Sequence, residues 1–324
     1  AEQIRKAKRM KVRGIRKQKV GGYYMRLKVL VDNNTLIDRY FRGEPGVSYY
    51  LEEGGKKILF DLGYSDLFID NARKMGIDLL DLDYVVLSHG HLDHTWGLGP
   101  LVRLITEAKV EGVHHKTPAL VAHPAVFLSR RIGALGEMGP LLRPGELCRH
   151  FDLNLSEEPV WLTDRLVFLG EILRENDFEA ESPLGKVTIG GGEEDDFLMD
   201  DSALAYRSDE GIVIVTGCSH SGICNILEQA MRITGERRVV DLIGGLHLMN
   251  PSERRLEETK RYLERVRPRR IHPCHCTDLP SRLALAGVAD LREVGVGLDL
   301  RLDCSGWGPE ETSSPGTKKE VRGA

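Results

Sequence analysis

The 324-residue chain contains no run of 18 apolar residues, so no membrane-spanning helix is expected. Its first residues lack the apolar segment that a secretory signal needs. The six cysteines (Cys148, Cys218, Cys224, Cys274, Cys276, Cys304) never fall into C-x-x-C spacing, which argues against a zinc knuckle. They read as reduced thiols of a cytoplasmic protein. Side-chain amides are scarce, with seven Asn and three Gln beside 29% charged residues, a composition that leans towards a thermophile. No internal repeat of solenoid length is present. Net charge is −4, unevenly spread: residues 1–20 carry nine Lys/Arg and one Glu, +8, which leaves −12 for the remainder. An acidic body argues against a dedicated nucleic-acid binder.

What is present is a core. Hydrophobic residues make up 41% of the chain, and strand-like and helix-like segments alternate along it, the pattern of a layered α/β domain. Residues 1–24 read as a basic extension, solvated or docking on a phosphate-rich partner, with Met10 and Met25 as alternative starts. Met25 to Asp32 alternates like a strand, and Gly54-Gly55 sits between two strand-like runs as a hairpin signal. Ser65 to Lys74 reads as a helix with Ser65 at its N-cap and Gly76 as its stop. From about 126 to 198 the pattern weakens, apart from a strand expected at Pro159 to Leu162, and this stretch is expected to be an insertion that walls a cleft. Ser202–Tyr206 and Gly211–Thr216 form a second hairpin. Residues 223–231 repeat with helical spacing, Val239–Ile243 is a buried strand, Ser252 caps a charged helix, and Arg270–Pro273 is the last short core strand. Residues 308–324 form a polar, flexible tail.

The stretch Asp83-Tyr-Val-Val-Leu-Ser-His-Gly-His-Leu-Asp-His94 carries the chemistry. A short buried strand leads into His89, His91, Asp93 and His94, all side chains that ligate zinc and harder transition metals. In extended or turning backbone His89 and His91 point the same way, while Asp93 and His94, entering a helix, face another. Gly90 lets the chain bend between them. This spacing suits two adjacent metal sites; the alternative is a polar, hydrogen-bonded loop.

H-x-H-x-D-H after an apolar strand resembles the signature of the metallo-β-lactamase superfamily, and the resemblance runs from about Met25 to Trp307. Asp200-Asp-Ser-Ala-Leu204, Thr216-Gly-Cys-Ser-His-Ser-Gly-Ile223, Gly244-Gly-Leu-His-Leu248 and Pro273-Cys-His-Cys-Thr277 resemble a narrower branch. That branch is the 7,8-dihydropterin-6-yl-methyl-4-(β-D-ribofuranosyl)aminobenzene 5′-phosphate synthases. The resemblance implies an αβ/βα four-layer sandwich over residues 25–307, with two divalent metal ions at one edge between the sheets. Zinc is the favoured ion, with manganese or iron as alternatives.

By position His275 matches the last histidine of the family and is assigned to the Asp93/His94 metal. His220, just past an apolar strand, is expected to complete the His89/His91 metal. The chain departs from the family pattern at two places. The usual third histidine is replaced by Asp200-Asp201, and the usual bridging aspartate by Cys218. Asp201 or Cys218 can therefore be a ligand, with His220 held behind them. A thiolate bridge would favour zinc. Asp61, at a strand end, is either a partner that orients a metal ligand or a turn cap. His247 is either a general acid or substrate contact, or a backbone-bonded strand end; His123 has the same two readings. Cys274 and Cys276, flanking His275, are expected to point away from it as small core residues.

The expected activity is metal-assisted hydrolysis or a related transfer by a water activated between two metals, with Asp93 both ligating and orienting the nucleophile. Its expected substrate is a small phosphorylated molecule, such as a phosphodiester or a phosphorylated pterin-type compound. The alternative of a different class is an iron-binding or redox protein on the same fold.

Overall fold

Residues 25–303 and 306–309 are described by a computed structural model of the chain; the basic extension 1–24 and the tail beyond Pro309 lie outside the described residues. The first half runs β1 (Met25–Val31), β2 (Ser48–Glu53), β3 (Lys56–Phe60), α1 (Leu67–Lys74), β4 (Tyr84–Val86), α2 (Leu92–Thr95), α3 (Leu98–Glu111) and β5 (Ala119–Ala122). It continues through β6 (Arg130–Arg131), α4 (Pro144–Leu147), β7 (Asp152–Leu155), β8 (Val160–Trp161), β9 (Leu166–Phe168), β10 (Lys186–Ile189) and β11 (Gly192–Asp195). The second half runs β12 (Ala203–Arg207), β13 (Ile212–Thr216), α5 (Ile223–Thr234), β14 (Val239–Gly245), α6 (Glu253–Val266) and β15 (Arg270–Cys274). It closes with α7 (Leu279–Leu285), β16 (Asp290–Leu291), β17 (Asp299–Asp303) and β18 (Gly306–Pro309).

Side-chain alternation builds the layers. An eight-stranded sheet in the order β18-β17-β1-β2-β3-β4-β5-β7 faces a seven-stranded sheet in the order β16-β15-β14-β13-β12-β9-β8. Leu27 and Val29, Ile58 and Phe60, Val213 and Val215 point into the core between the sheets. Their neighbours Leu30, Leu59 and Val85 point outward onto α1 and α3, through Phe68, Ala72 and Leu101. On the far side Ile212, Ile214 and Leu242 meet α5, α6 and α7 through Leu227, Leu263 and Leu285. Both faces of the central strands are covered, which is why Ile212–Thr216 is buried at every position. The architecture is the expected αβ/βα four-layer sandwich.

The β2–β3 hairpin turns at Gly54 and Gly55, both at positive φ (57° and 77°), the backbone a two-residue turn of this kind requires. Helix α1 begins one residue later than expected: Asp66, not Ser65, is its N-cap, and the Ser65 hydroxyl accepts from Leu67 N.

The stretch at about 126–198, expected as an insertion, is divided. Strand β7 extends the first sheet beside β5, and β8 and β9 form the edge of the second. Only the small sheet β11-β10-β6 stands apart, so it is this part, with its connecting loops, that walls the cleft. Residues 308 and 309, expected in the tail, instead pair with β17 as part of β18, and the rest of the expected tail lies outside the described residues.

In each main sheet the parallel strands end at one edge: β3, β4 and β5 in the first, β13, β14 and β15 in the second. Loops beyond the carboxyl ends of parallel strands form the crevice of such sheets. Asp61, the 88–94 loop, Cys218 to His220, His247 and His275 all lie in those loops.

Candidate metal centre

Strand β4 is short because its apolar run stops at Leu87; Ser88 then opens the loop. The chain turns at His91, whose carbonyl accepts from His94 N at 3.1 Å and from the Thr95 hydroxyl at 2.9 Å. That single turn of α2 sends Asp93 and His94 away from the direction of His89 and His91. Gly90 has a different job from the tight bend expected of it: its φ is not positive, and a Cβ there would lie 2.1 Å from Arg130 Nη1 and 2.3 Å from the Val126 carbonyl. Glycine is needed here so that the Arg130 guanidinium can pass against the loop.

The structure brings the sequence candidates into overlapping groups whose donor atoms lie within 4.8 Å of one another: His89, His91 and His220; His89, His94 and Cys218; Asp93, His94 and His275; and Cys218, His275 and Cys276. His220 therefore joins the His89/His91 pair, and His275 joins Asp93/His94. Cys218 stands between the two, its sulfur 3.2 Å from His94 Nε2. Asp201 belongs to none of these groups among the described residues. Its Oδ2 accepts from the amide (2.8 Å) and hydroxyl of Ser221, so it holds the turn that carries His220.

Cys276 is the residue whose expected orientation the structure overturns. Alternation across an extended segment would turn it from the site, but His275 has φ 50° and breaks that alternation. Cys276 Sγ accepts from His247 N at 3.3 Å and lies 3.4 Å from the Cys218 carbonyl. Cys274 is a core residue as expected, buried with its sulfur 3.2 Å from the Tyr49 hydroxyl.

Two of the candidate ligands, His94 and His275, are held by partners behind them. Asp61, fully buried and at φ 56°, accepts from Ser88 N (2.7 Å) and the Ser88 hydroxyl (2.6 Å), and its Oδ2 lies 2.7 Å from His94 Nδ1. It is thus turn cap and orienting partner together. Gly217 makes room for this contact: a Cβ there would fall 2.1 Å from Ser88 Oγ. His275 N donates to Asp32 at 3.0 Å, and its Nδ1 lies 3.1 Å from Asn33 Oδ1. Asp32 and Asn33, at the end of β1, carry no sequence signal beyond that of a turn. Asp200 accepts from Gly90 N at 2.7 Å and from Arg130 at 2.6 Å. His247 sits at φ 48°, its ring centroid 4.3 Å from that of His220, and its buried Nδ1 has no hydrogen-bond partner. His123 instead is buried, accepts from Ala125 N through Nδ1 and has its Nε2 3.4 Å from Glu171, apart from the groups of candidate ligands.

The donor chemistry fits divalent cations. Burial holds His89 and His220 well below the ordinary imidazole range and His91 near 4, so all three present neutral lone pairs. His220 Nε2 is buried with no hydrogen-bond partner, an orphaned atom that a ligated cation would satisfy. Burial also opposes charge on His94, yet the Asp93 and Asp61 carboxylates outweigh it and raise its pKa to about 9. That field favours positive charge at the second group, which a bound cation supplies. In the Cys218/Cys276 pair burial disfavours thiolate at both. Hydrogen bonds from Cys218 and His247 nevertheless make Cys276 the sulfur that ionises first.

Comparison with known proteins gives a consistent result. Residues 41–224 match the family model described as the Metallo-beta-lactamase superfamily. The chain is 28% identical over 266 residues to the 7,8-dihydropterin-6-methyl-4-(beta-D-ribofuranosyl)-aminobenzene-5'-phosphate synthase of Methanocaldococcus jannaschii, covering 78% of this chain and 87% of that protein. It is 30% identical to an uncharacterized protein of the same archaeon, covering 78% of this chain and 90% of the other. Among solved structures it resembles Tm1679, a metal-dependent hydrolase of the beta-lactamase superfamily, with TM-score 0.70, 26% identity, and coverage of 86% and 99%. YhfI from Bacillus subtilis, at TM-score 0.50 and 15% identity, shares the fold over 86% of this chain and 99% of its own. No helix among the described residues is long and apolar enough to cross a membrane.

Proposed function

The chain belongs to the metallo-beta-lactamase superfamily and is a metal-dependent hydrolase; from that premise we propose that it cleaves a phosphate ester, a phosphodiester or a phosphorylated pterin-type compound, at a dinuclear centre. One observation carries the dinuclear reading: two three-donor groups, His89/His91/His220 and Asp93/His94/His275, share one edge with Cys218 between them. Paired ions are the usual arrangement for in-line displacement at phosphorus. The pterin phosphate named for the archaeal relative favours the same substrate class.

Zinc suits this mixture of imidazole, carboxylate and thiolate better than manganese does. Bound there, the ions supply Lewis acidity and a water that deprotonates near neutral pH. The protein does the rest. Asp61 orients His94, Asn33 and Asp32 orient His275, and Asp201 holds the His220 turn. Asp93, kept ionised against burial by His94 and His275, accepts a hydrogen bond from the attacking water and fixes its direction. His247, whose side chain lines the cavity over the centre, donates a proton to the departing oxygen.

A screen of phosphodiesters, phosphomonoesters and lactones with metal-loaded protein tests the reading. Turnover of the phosphodiesters is expected, and turnover of lactones alone overturns it. Metal analysis accompanies the screen: about two zinc per chain is the expected result, and an iron-dependent colour with no turnover would select the redox alternative.

Three variants probe the supports and the candidate sulfur ligands. Asp61→Asn keeps the acceptor for Ser88 but turns an amide towards His94, and should weaken metal binding or turnover 10- to 100-fold, about the cost of losing a ligand's partner. Chelator competition measures it; unchanged affinity and rate would remove Asp61 from the role. Cys276→Ser and Cys218→Ser, each loaded with cobalt, should each lose intensity in the thiolate-to-metal charge-transfer band. An unaltered spectrum in Cys276→Ser would restrict sulfur ligation to Cys218.

A further inference from the structure

The centre opens into a cavity of about 470 Å³ whose walls above the ligands are largely apolar: Pro45, Tyr64, Ile132, Met138, Leu184 and Met249. Among these Tyr64 is unusual. It is 45% exposed, yet its ring is stacked on Trp96, with centroids 5.2 Å apart and planes 25° apart. Tyr64 lines the cavity and Trp96 is not among the residues that do, so Trp96 backs the ring from behind.

The pair is fixed to the centre at several points. Trp96 is the residue that ends α2, two positions past His94, and its indole N–H donates to the Gly139 carbonyl at 2.9 Å. The turn that carries Tyr64 is held by Glu44, which accepts from Tyr64 N (3.1 Å), Ser65 N (3.0 Å) and the Ser65 hydroxyl (2.6 Å). Leu62 N donates to the His94 carbonyl at 2.9 Å, and Gly97 N to the Gly63 carbonyl at 3.3 Å, so this turn and the metal helix are hydrogen-bonded to each other. An exposed aromatic ring normally keeps its rotamer freedom. Here that freedom has already been removed by packing and by the backbone, the condition under which a stacking contact yields most affinity.

We propose that Tyr64 is the platform on which a planar aromatic or heteroaromatic group of the substrate stacks, placing its phosphate ester over the metal ligands. This rests on the reading of the centre as a phosphate-ester hydrolase. Tyr64 selects the substrate and touches it away from the reacting atoms. The sulfur-bearing side chains of Met138 and Met249, on the same cavity walls, are suited to the edge of such a ring. A substrate with an alkyl group in that place keeps its contact with the metal ligands and loses the stacking.

The test uses the metal-loaded full chain, with unphosphorylated pterin and inorganic phosphate as separate calorimetric probes. Wild type and Tyr64→Phe should bind pterin alike, and Tyr64→Ala should bind it about tenfold more weakly, as loss of a stacking ring does. All three should bind inorganic phosphate equally, which shows that the centre is intact. The KM for bis(4-nitrophenyl) phosphate should rise by a similar factor in Tyr64→Ala with kcat little changed, whereas an alkyl phosphodiester should show no such rise. Equal pterin binding by Tyr64→Ala and wild type, or none by wild type, overturns the proposal. Tyr64-dependent pterin binding without hydrolysis of any phosphate ester keeps the platform and discards the reaction. Ester hydrolysis with no difference between aromatic and alkyl esters in Tyr64→Ala does the reverse.

Discussion

His91→Ala is expected to lower the proposed phosphodiesterase rate on the order of a thousandfold and to remove one of the two metal equivalents that the proposed centre would hold. The magnitude follows from what a metal ion contributes. Lewis-acid stabilisation of developing charge amounts to several kcal/mol, and about 1.36 kcal/mol is a factor of ten in rate. His91 is the right residue to remove. Its imidazole belongs to the His89/His91/His220 group and to none of the other three, so truncating it depletes one site and leaves Asp93, His94 and His275 in place. It caps α2 with its backbone carbonyl and not with its side chain, so the helix survives the change. Metal analysis of the purified variant, beside a phosphodiester rate, checks both halves. A variant that keeps its metal and its rate would mean that the histidines are merely a packed polar loop.

Arg130→Met destabilises the fold by about 3–5 kcal/mol, the usual penalty for leaving buried charge uncompensated. The guanidinium is 2% exposed. It donates from Nε to Asp196 at 2.8 Å and from Nη2 to Asp200 at 2.6 Å, and reaches the carbonyls of Val126 and Ala125 at 3.0 Å each. Both carboxylates are themselves buried, so methionine would strand two negative charges in the interior. Against a total stability of about 5–15 kcal/mol this is a large fraction. Denaturant unfolding of wild type and variant measures it, and a loss below about 1 kcal/mol would count against the network. The same substitution should loosen the metal loop, because Asp200 is what holds Gly90 N. The triple variant Arg130→Met, Asp196→Asn, Asp200→Asn should recover part of the stability while leaving the metal affinity low.

This network also shows why local reasoning misjudged Gly90. A glycine between two histidines looks like a flexible bend, since sequence displays only its neighbours in the chain. The reason for it is an arginine 40 positions away that occupies the volume of the missing Cβ. The stretch at 126–198 was misjudged for a related reason. Strands of three or four residues, such as β7 and β9, have too few positions to show a period, although their partners in the sheets are definite; β8, between them, is expected from the sequence.

Cys276 illustrates the limit most clearly. The alternation rule assumes extended backbone, and at His275 the backbone is left-handed. Asp61, Ser219 and His247 share that conformation, at φ 56°, 61° and 48°. Such backbone is uncommon for residues other than glycine and clusters at functional sites. Each instance lies just beyond a strand end at the edge where the ligands meet. A single left-handed residue reverses which neighbour faces the site, so counting by twos past a strand end fails there.

The sequence alone determined the layered architecture and half of the candidate metal centre, because both depend on residues close along the chain. Alternating apolar positions assign strands to faces, and His89, His91, Asp93 and His94 are brought together by one strand end and one helical turn. His220 and His275 are expected from their positions past strand ends; tertiary structure alone decided that Cys276 faces the site and which partners stand behind these candidate ligands. His220, His275 and Cys276 arrive from the second sheet, Asp32 and Asn33 reach His275 across more than 240 residues, and Tyr64 gains its fixed ring from Trp96. Those contacts form where the loops of two facing sheets meet at one edge, and no local pattern around Asp32, Asn33, Tyr64 or Cys276 records that meeting.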